Sequence, residues 1–248
     1  MQMSKACIFC GGPGPFSKEH VLPEWTAKLL NLQKVNVTVT KLGEPQMPWS
    51  SVGSFGAKVG PVCEAVCNNG WMSDLENIAA PVLSRMILPV APVTLRIDEQ
   101  VVIASWLWKL AIVHEKPSGA TYFNEAERKC LMKGDAPTPF GVHMWIAAYI
   151  GHLDANLRGG PCEFGSPDGH TLHGYLMTMS IRRFAAQLLC VRELPGVDVS
   201  TVSHYNFEGA ESLIWPEQDG SVAWPPPVAG LDHDLFNKWH MRWNTPTE

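Results

Sequence analysis

Apolar and polar positions alternate with two different periods along this chain. Leu75, Ile78, Ala79, Val82, Leu83 and Met86 recur at three- and four-residue intervals, a spacing that gathers apolar side chains on one face of a helix. Ser73 and Glu76 stand before them in the arrangement of a capping box, and Pro89 and Pro92 predict a stop near Leu88. Helices are also predicted over 99–115, 124–133 and 231–243, with a short one over 23–31 that has Pro23 in its first turn. Residues 35–42 alternate β-branched and polar side chains, which predicts a strand. Residues 141–151 and 172–181 are continuous apolar runs of buried-strand length. Residues 184–192 fit a partner strand, with Arg182 and Arg183 at the turn, and a helix nearly as well. Residues 43–61 are rich in Gly, Pro and Ser and predict a loop. The expected class is α+β, with one domain over 1–92 and a second α+β domain over 93–248.

Composition narrows the class. Across 248 residues the hydrophobic fraction is 46% and the charged fraction 17%, which excludes a disordered chain and a coiled coil. No apolar run approaches the ~20 residues of a spanning helix. Residues 1–10 lack the basic-then-apolar layout of a signal peptide. The expectation is a soluble cytoplasmic protein without a membrane partner. The net charge of −5 argues against a protein that coats polyanions by bulk charge. Residues 1–90 carry 7 basic and 6 acidic groups, whereas 91–248 carry 12 and 18. Any contact of the first part with nucleic acid therefore needs a bound metal and a local basic surface.

The cysteines add candidate chemistry. Cys7 and Cys10, then Cys63 and Cys67, form two close pairs separated by a long insert, while Cys130, Cys162 and Cys190 stand singly. An odd count without a secretory leader argues against a disulfide framework, and paired spacing with Gly11 and Gly12 beside it reads as two halves of a zinc site. Between the pairs lies Ser17-Lys-Glu-His-Val-Leu-Pro23. Neighbouring side chains on a strand face opposite ways, so Glu19 and His20 can share a site only if the strand is distorted or ends there.

These motifs together resemble the zinc-knuckled branch of the HNH endonucleases. The resemblance rests on Cys7-x2-Cys10, Glu19-His20-x2-Pro23 and Cys63-x3-Cys67-Asn68, in the strings CIFCGG, SKEHVLPEW and CNNGWMSDLE. It covers roughly residues 5–88 and implies a zinc-stabilised ββα-metal fold, treble-clef-like, in the first domain. It also implies a structural Zn²⁺ on Cys7, Cys10, Cys63 and Cys67. His20 would be the general base, and Glu19 with Asn68 would hold a catalytic Mg²⁺ or Mn²⁺, Asn69 replacing Asn68 if the register slips. The second cysteine pair is spaced x3 where x2 is usual, so an extra residue among Glu64, Ala65 and Val66 must bulge. Lys58 stands near the position of the family's middle Asn, which leaves the orienting partner of His20 unassigned.

General chemistry is consistent with that division of roles. Phosphodiester hydrolysis needs an activated water and a cation on the leaving group. Imidazole titrates near neutrality, carboxylate and amide oxygens suit Mg²⁺, and thiolates suit Zn²⁺. The implied activity is endonucleolytic hydrolysis, with DNA favoured over RNA and a phage or antiphage setting. Lys18, Lys28, Lys34 and Lys41 are candidate phosphate contacts. Residues 93–248 would supply specificity, dimerisation (a homodimer) or regulation. Two other readings stay open: a non-catalytic zinc module that binds nucleic acid or protein, and a latent nuclease gated by its C-terminal domain. Asn68 and Asn69 also suit left-handed turn geometry before Gly70. Glu76 reads as a helix cap, and Trp106, Trp108 and Trp145 read as core.

Overall fold

A computed structural model describes residues 6–31, 58–116, 122–137, 141–165, 171–191, 203, 205–216 and 219–243. The predicted strand over 35–42 lies outside them, as do Lys34 and Lys41. The architecture is α+β, as expected.

The chain opens with the Cys7–Cys10 turn and strand β1 (Phe16–His20), followed by the short helix α1 (Glu24–Leu29). Pro23 stands at the N-cap of α1, where its missing N–H costs nothing. Strand β2 (Lys58–Cys63) pairs antiparallel with β1, so the end of the segment read as a loop is in fact extended. The ladder hides this strand from a composition-based reading, because Gly60 and Pro61 sit inside it. Residues Glu64–Met72 then wind in wide π-type turns that run into helix α2 (Ser73–Ile87). The helix therefore has no free N-terminus at Ser73, and no capping hydrogen bond forms there. Of the anticipated apolar face, Ala79, Val82, Leu83 and Met86 are buried, Leu75 is half-buried and Ile78 is exposed.

Beyond α2, strand β3 (Val93–Leu95) leads into helix α3 (Ile97–Glu115) and helix α4 (Glu125–Met132). Asn124 caps α4 in a reciprocal box with Glu127. A five-stranded antiparallel sheet follows, built from β4 (Val142–Ala148), β5 (Ala155–Gly165), β6 (Thr171–Ile181), β7 (Phe184–Val191) and β8 (Glu211–Trp215) in the order β5-β6-β7-β4-β8. The segment 184–192 is thus a strand to Val191, joined to β6 by a tight turn with Arg182 at φ 51°. Strand β9 (Val222–Trp224) pairs with β3, and helix α5 (His233–Met241) closes the described chain.

The two faces of the sheet are both covered. Along β4, Met144, Ile146 and Ala148 join the core that contains α2 and α3, while Trp145, Ala147 and Tyr149 join the one that contains α5. That double burial is why these strands read as unbroken apolar runs. Trp106 and Trp108 lie in the first core, with Cys7, Phe9, Val62 and Cys67 from the N-terminal part. Helix α3 is buried on nearly every side from Ile103 to Glu115, which places it between the hairpin and the sheet. Among the described residues no helix is long and apolar enough to cross a membrane.

Candidate functional site

Four sulfur atoms gather where the Cys7–Cys10 turn meets the end of β2. Cys7 and Cys67 Sγ are 3.7 Å apart, and Cys10 and Cys63 Sγ are 3.4 Å apart. The sulfurs of Cys7, Cys10 and Cys63 lie within 4.8 Å of one another. A tetrahedron with Zn–S bonds of about 2.3 Å has sulfur–sulfur edges of about 3.8 Å, so this spacing is compatible with zinc. The extra residue between Cys63 and Cys67 is absorbed by the π-type turns, with Glu64, Ala65 and Val66 exposed. Gly70 permits the winding, since a Cβ there would come within 2.9 Å of the Ala65 carbonyl oxygen.

Backbone geometry prepares these sulfurs for a cation. Cys7 Sγ accepts from the N–H of Cys63 at 3.1 Å and of Phe9 at 3.4 Å, and Cys10 Sγ accepts from Gly12 at 3.4 Å. Burial resists ionisation of Cys7, but the surrounding backbone N–H groups outweigh it and bring the thiol down to about 7. Burial, reinforced by the neighbouring sulfurs, pushes Cys63 and Cys67 up to about 12. Four thiolates can coexist here only around a positive ion, and a set of four sulfurs suits Zn²⁺.

The paired sulfurs pin the hairpin beside a cleft of roughly 380 Å³, lined by Lys18, Glu19, His20, Asn68, Asn69 and Glu76 among others. Strand β1 meets both conditions for adjacent residues to share a site. Its register shifts between Ser17 and Glu19, and it ends at His20. His20 is half-buried and pairs in register with Lys58. Burial, helped by the charge of Lys58 and opposed by Glu24 and Glu76, lowers its pKa, so the ring is neutral at neutral pH and able to accept a proton. Its Nε2 is shielded from solvent without a hydrogen-bond partner.

Asn68 reaches β1 from the π-type turns. Its Nδ2 donates to Ser17 Oγ at 2.7 Å, with a longer approach of 3.5 Å to the Lys18 carbonyl. Neither Asn68 nor Asn69 has positive φ; among the described non-glycine residues only Asn31 and Arg182 do. Asn69 is exposed at the cleft.

The carboxylates carry a surprise for the reading from sequence. Glu76, read as a cap, turns toward α3, where its Oε1 accepts from Lys109 Nζ at 2.5 Å. Glu19, itself buried, accepts from the same ammonium. Lys109 is 1% exposed, and the two carboxylates hold it strongly protonated against the cost of burial. Sequence reasoning passed over Lys109 because it sits inside an apolar helical run. The signal that could have singled it out is a lone charge in the middle of a helix apolar on every side, which demands a buried partner.

Of the residues assigned to a catalytic divalent ion, Glu19 has its charge already answered by a buried ammonium. Glu19 gives an oxygen to Lys109, whereas the Asn68 amide nitrogen donates to Ser17, a bond that does not use the Oδ1 a cation would need. Among the described residues, the cysteine cluster is the one group of three or more Cys, His, Asp or Glu placed to hold a metal.

Of the candidate phosphate contacts, Lys18 is exposed at the cleft, and Lys28 is exposed and paired with Glu24 at 3.2 Å. Lys34 and Lys41 fall outside the described residues. Exposed Lys58, opposite His20, is a basic group at the site that the reading from sequence left without a role.

No family model, no curated protein and no solved structure matches this chain.

Proposed function

We propose that the cleft beside the cysteine cluster is the hydrolytic site of an HNH-type endonuclease acting on DNA, with His20 as the general base. One observation carries this reading. The bulge in β1 and its termination at His20 bring an imidazole and a carboxylate from adjacent residues to one cleft, next to a hairpin held by four sulfurs. Zinc on Cys7, Cys10, Cys63 and Cys67 would fix the hairpin on the following helix and take no part in the chemistry, because a closed set of four thiolates leaves no open position.

In this reading the neutral His20 ring removes a proton from the attacking water, whose oxygen bonds to phosphorus as the bond to the 3′ oxygen breaks, and the departing oxygen takes a proton from solvent. Glu24 and Glu76, whose charges favour the protonated ring, help hold the imidazolium that forms. Lys18 and Lys58 supply positive charge where a phosphodiester would lie. The Glu19 carboxylate stays paired with Lys109 in this reading.

Plasmid DNA incubated with the purified protein, with and without Mn²⁺ or Mg²⁺, tests the proposal alongside His20→Ala. Cleavage by the wild type and its loss in the variant, which keeps its zinc and its fold, is the expected result. Equal cleavage by both would assign the activity elsewhere. Binding of DNA without cleavage under any condition would favour the zinc interaction module.

A further inference from the structure

Three separate elements converge on Lys109. The residue comes from the middle of α3, Glu19 from the end of β1 and Glu76 from the first turn of α2, and the ammonium contacts both carboxylates. Both acids line the cleft, whereas Lys109 does not. The positive charge therefore reaches them from the protein side and leaves the open side to solvent. Lys109 is also the sole buried lysine among the described residues. A lone ammonium at that depth is tolerated only because two carboxylates compensate it.

That geometry bears on what else can bind there. A divalent cation needs carboxylate oxygens whose charge is not already spent. Two acids on the wall of one cleft would form the start of such a site, and the Lys109 ammonium already answers them with positive charge. We infer that Lys109 is a built-in counter-ion that keeps the Glu19–Glu76 pair closed to divalent cations. The divalent-ion affinity of the cleft is then set by α3, not by the zinc-pinned hairpin. The inference rests on reading the cleft as the hydrolytic site and adds which residue sets that site's response to divalent cations.

A Mn²⁺ titration of the zinc-loaded, full-length protein, followed by the electron paramagnetic resonance of free Mn²⁺ and by thermal unfolding, tests it without any DNA. The wild type is expected to show no saturable Mn²⁺ site at millimolar concentrations and a Tm that Mn²⁺ leaves unchanged. Lys109→Met is expected to bind one Mn²⁺ per chain, with affinity raised by about tenfold or more, because removing a unit charge in contact distance is worth several factors of ten at protein-like screening. Its Tm is expected to rise with Mn²⁺, which a merely structural lysine would not produce. Adding Glu76→Gln to Lys109→Met removes the second acid and should lower that affinity again. Folded Lys109→Met that binds Mn²⁺ no more tightly than the wild type would overturn the inference. Should that variant fail to fold, the wild type alone decides: a saturable Mn²⁺ site abolished by Glu19→Gln overturns it, and its absence supports it. Failure here leaves the nuclease reading to the His20→Ala cleavage assay, and failure of that assay leaves the metal titration intact.

Discussion

Single residues set the geometry of the cleft through their backbones as much as through their side chains. Gly70 is the sharpest case. Its absent Cβ lets the π-type turns pass within 2.9 Å of the Ala65 carbonyl, so Gly70→Ala forces a backbone shift. A loss of about 1–3 kcal/mol in urea unfolding is expected, together with weaker zinc retention, because Cys67 sits in the same turns. Lys109 is the case governed by charge. Without divalent ions, Lys109→Met leaves Glu19 and Glu76 uncompensated, and a loss of about 3–5 kcal/mol is expected in the same measurement. A small effect would mean that the acids take up protons or water at little cost. Gly70 was readable beforehand only as a residue tolerant of turns, since what crowds its Cβ position is a carbonyl five residues earlier. His20 and Glu19 were readable as a pair from their adjacency. Their access to one cleft depended on a bulge, which arises from the pairing of β1 with β2 and has no local signature.

At the scale of elements, the cysteine-bearing turn, β1, β2 and α2 depend on one another. The hairpin is short, and two strands without further support are marginal in water. The hairpin shares the core of α2 and α3, and a metal on the sulfur cluster would add to that support and couple its binding to folding of this part. One zinc per chain is expected by elemental analysis. Cys63→Ser, or prolonged treatment with a strong chelator, should release it and abolish the near-ultraviolet signal of Trp71, whose ring packs edge-on against Phe9 at 5.3 Å. Retention of that signal in the zinc-free protein would show that apolar packing alone holds the hairpin. Helices α2, α3 and α4 were legible within a few residues because their periods and caps are local. The start of α2 was not, since Ser73 continues a preceding wide turn where a capped terminus was anticipated. Strands β2, β3, β5, β8 and β9 escaped the reading from sequence. The Gly159-Gly160 pair inside β5 broke the expected pattern, yet it is needed there: a Cβ on Gly159 would fall 1.9 Å from the Leu176 carbonyl oxygen of the neighbouring strand.

The whole molecule is organised around α3, which faces the hairpin through Lys109 and the sheet through residues such as His114. His114 Nδ1 lies 2.9 Å from the Tyr175 hydroxyl, and His240 Nδ1 lies 2.9 Å from Thr178 Oγ1 on the opposite face of the sheet. Burial pushes both imidazoles down to about 4. An unfolded chain protonates them near 6.5 while the folded one does not. Their contribution to stability is therefore fully present above about pH 6.5 and is lost as pH falls toward about 4. Denaturant midpoints should hold between pH 7.5 and about 6.5 and then fall toward pH 4.5, and His114→Gln with His240→Gln should flatten that fall. An unchanged slope would place the acid sensitivity in other groups.

The chain by itself determined the α+β class, the helices with local caps and the grouping of two cysteine pairs in a set compatible with zinc, since each follows from composition, period or spacing over a few residues. Tertiary structure alone decided where the charges went. Glu19 and Lys109 are 90 residues apart in sequence, and nothing local joins them. A buried charge must be answered wherever the fold brings an opposite one within reach, and that answer joined an expected metal ligand, Glu19, to a residue read as a helix cap, Glu76, around one lysine.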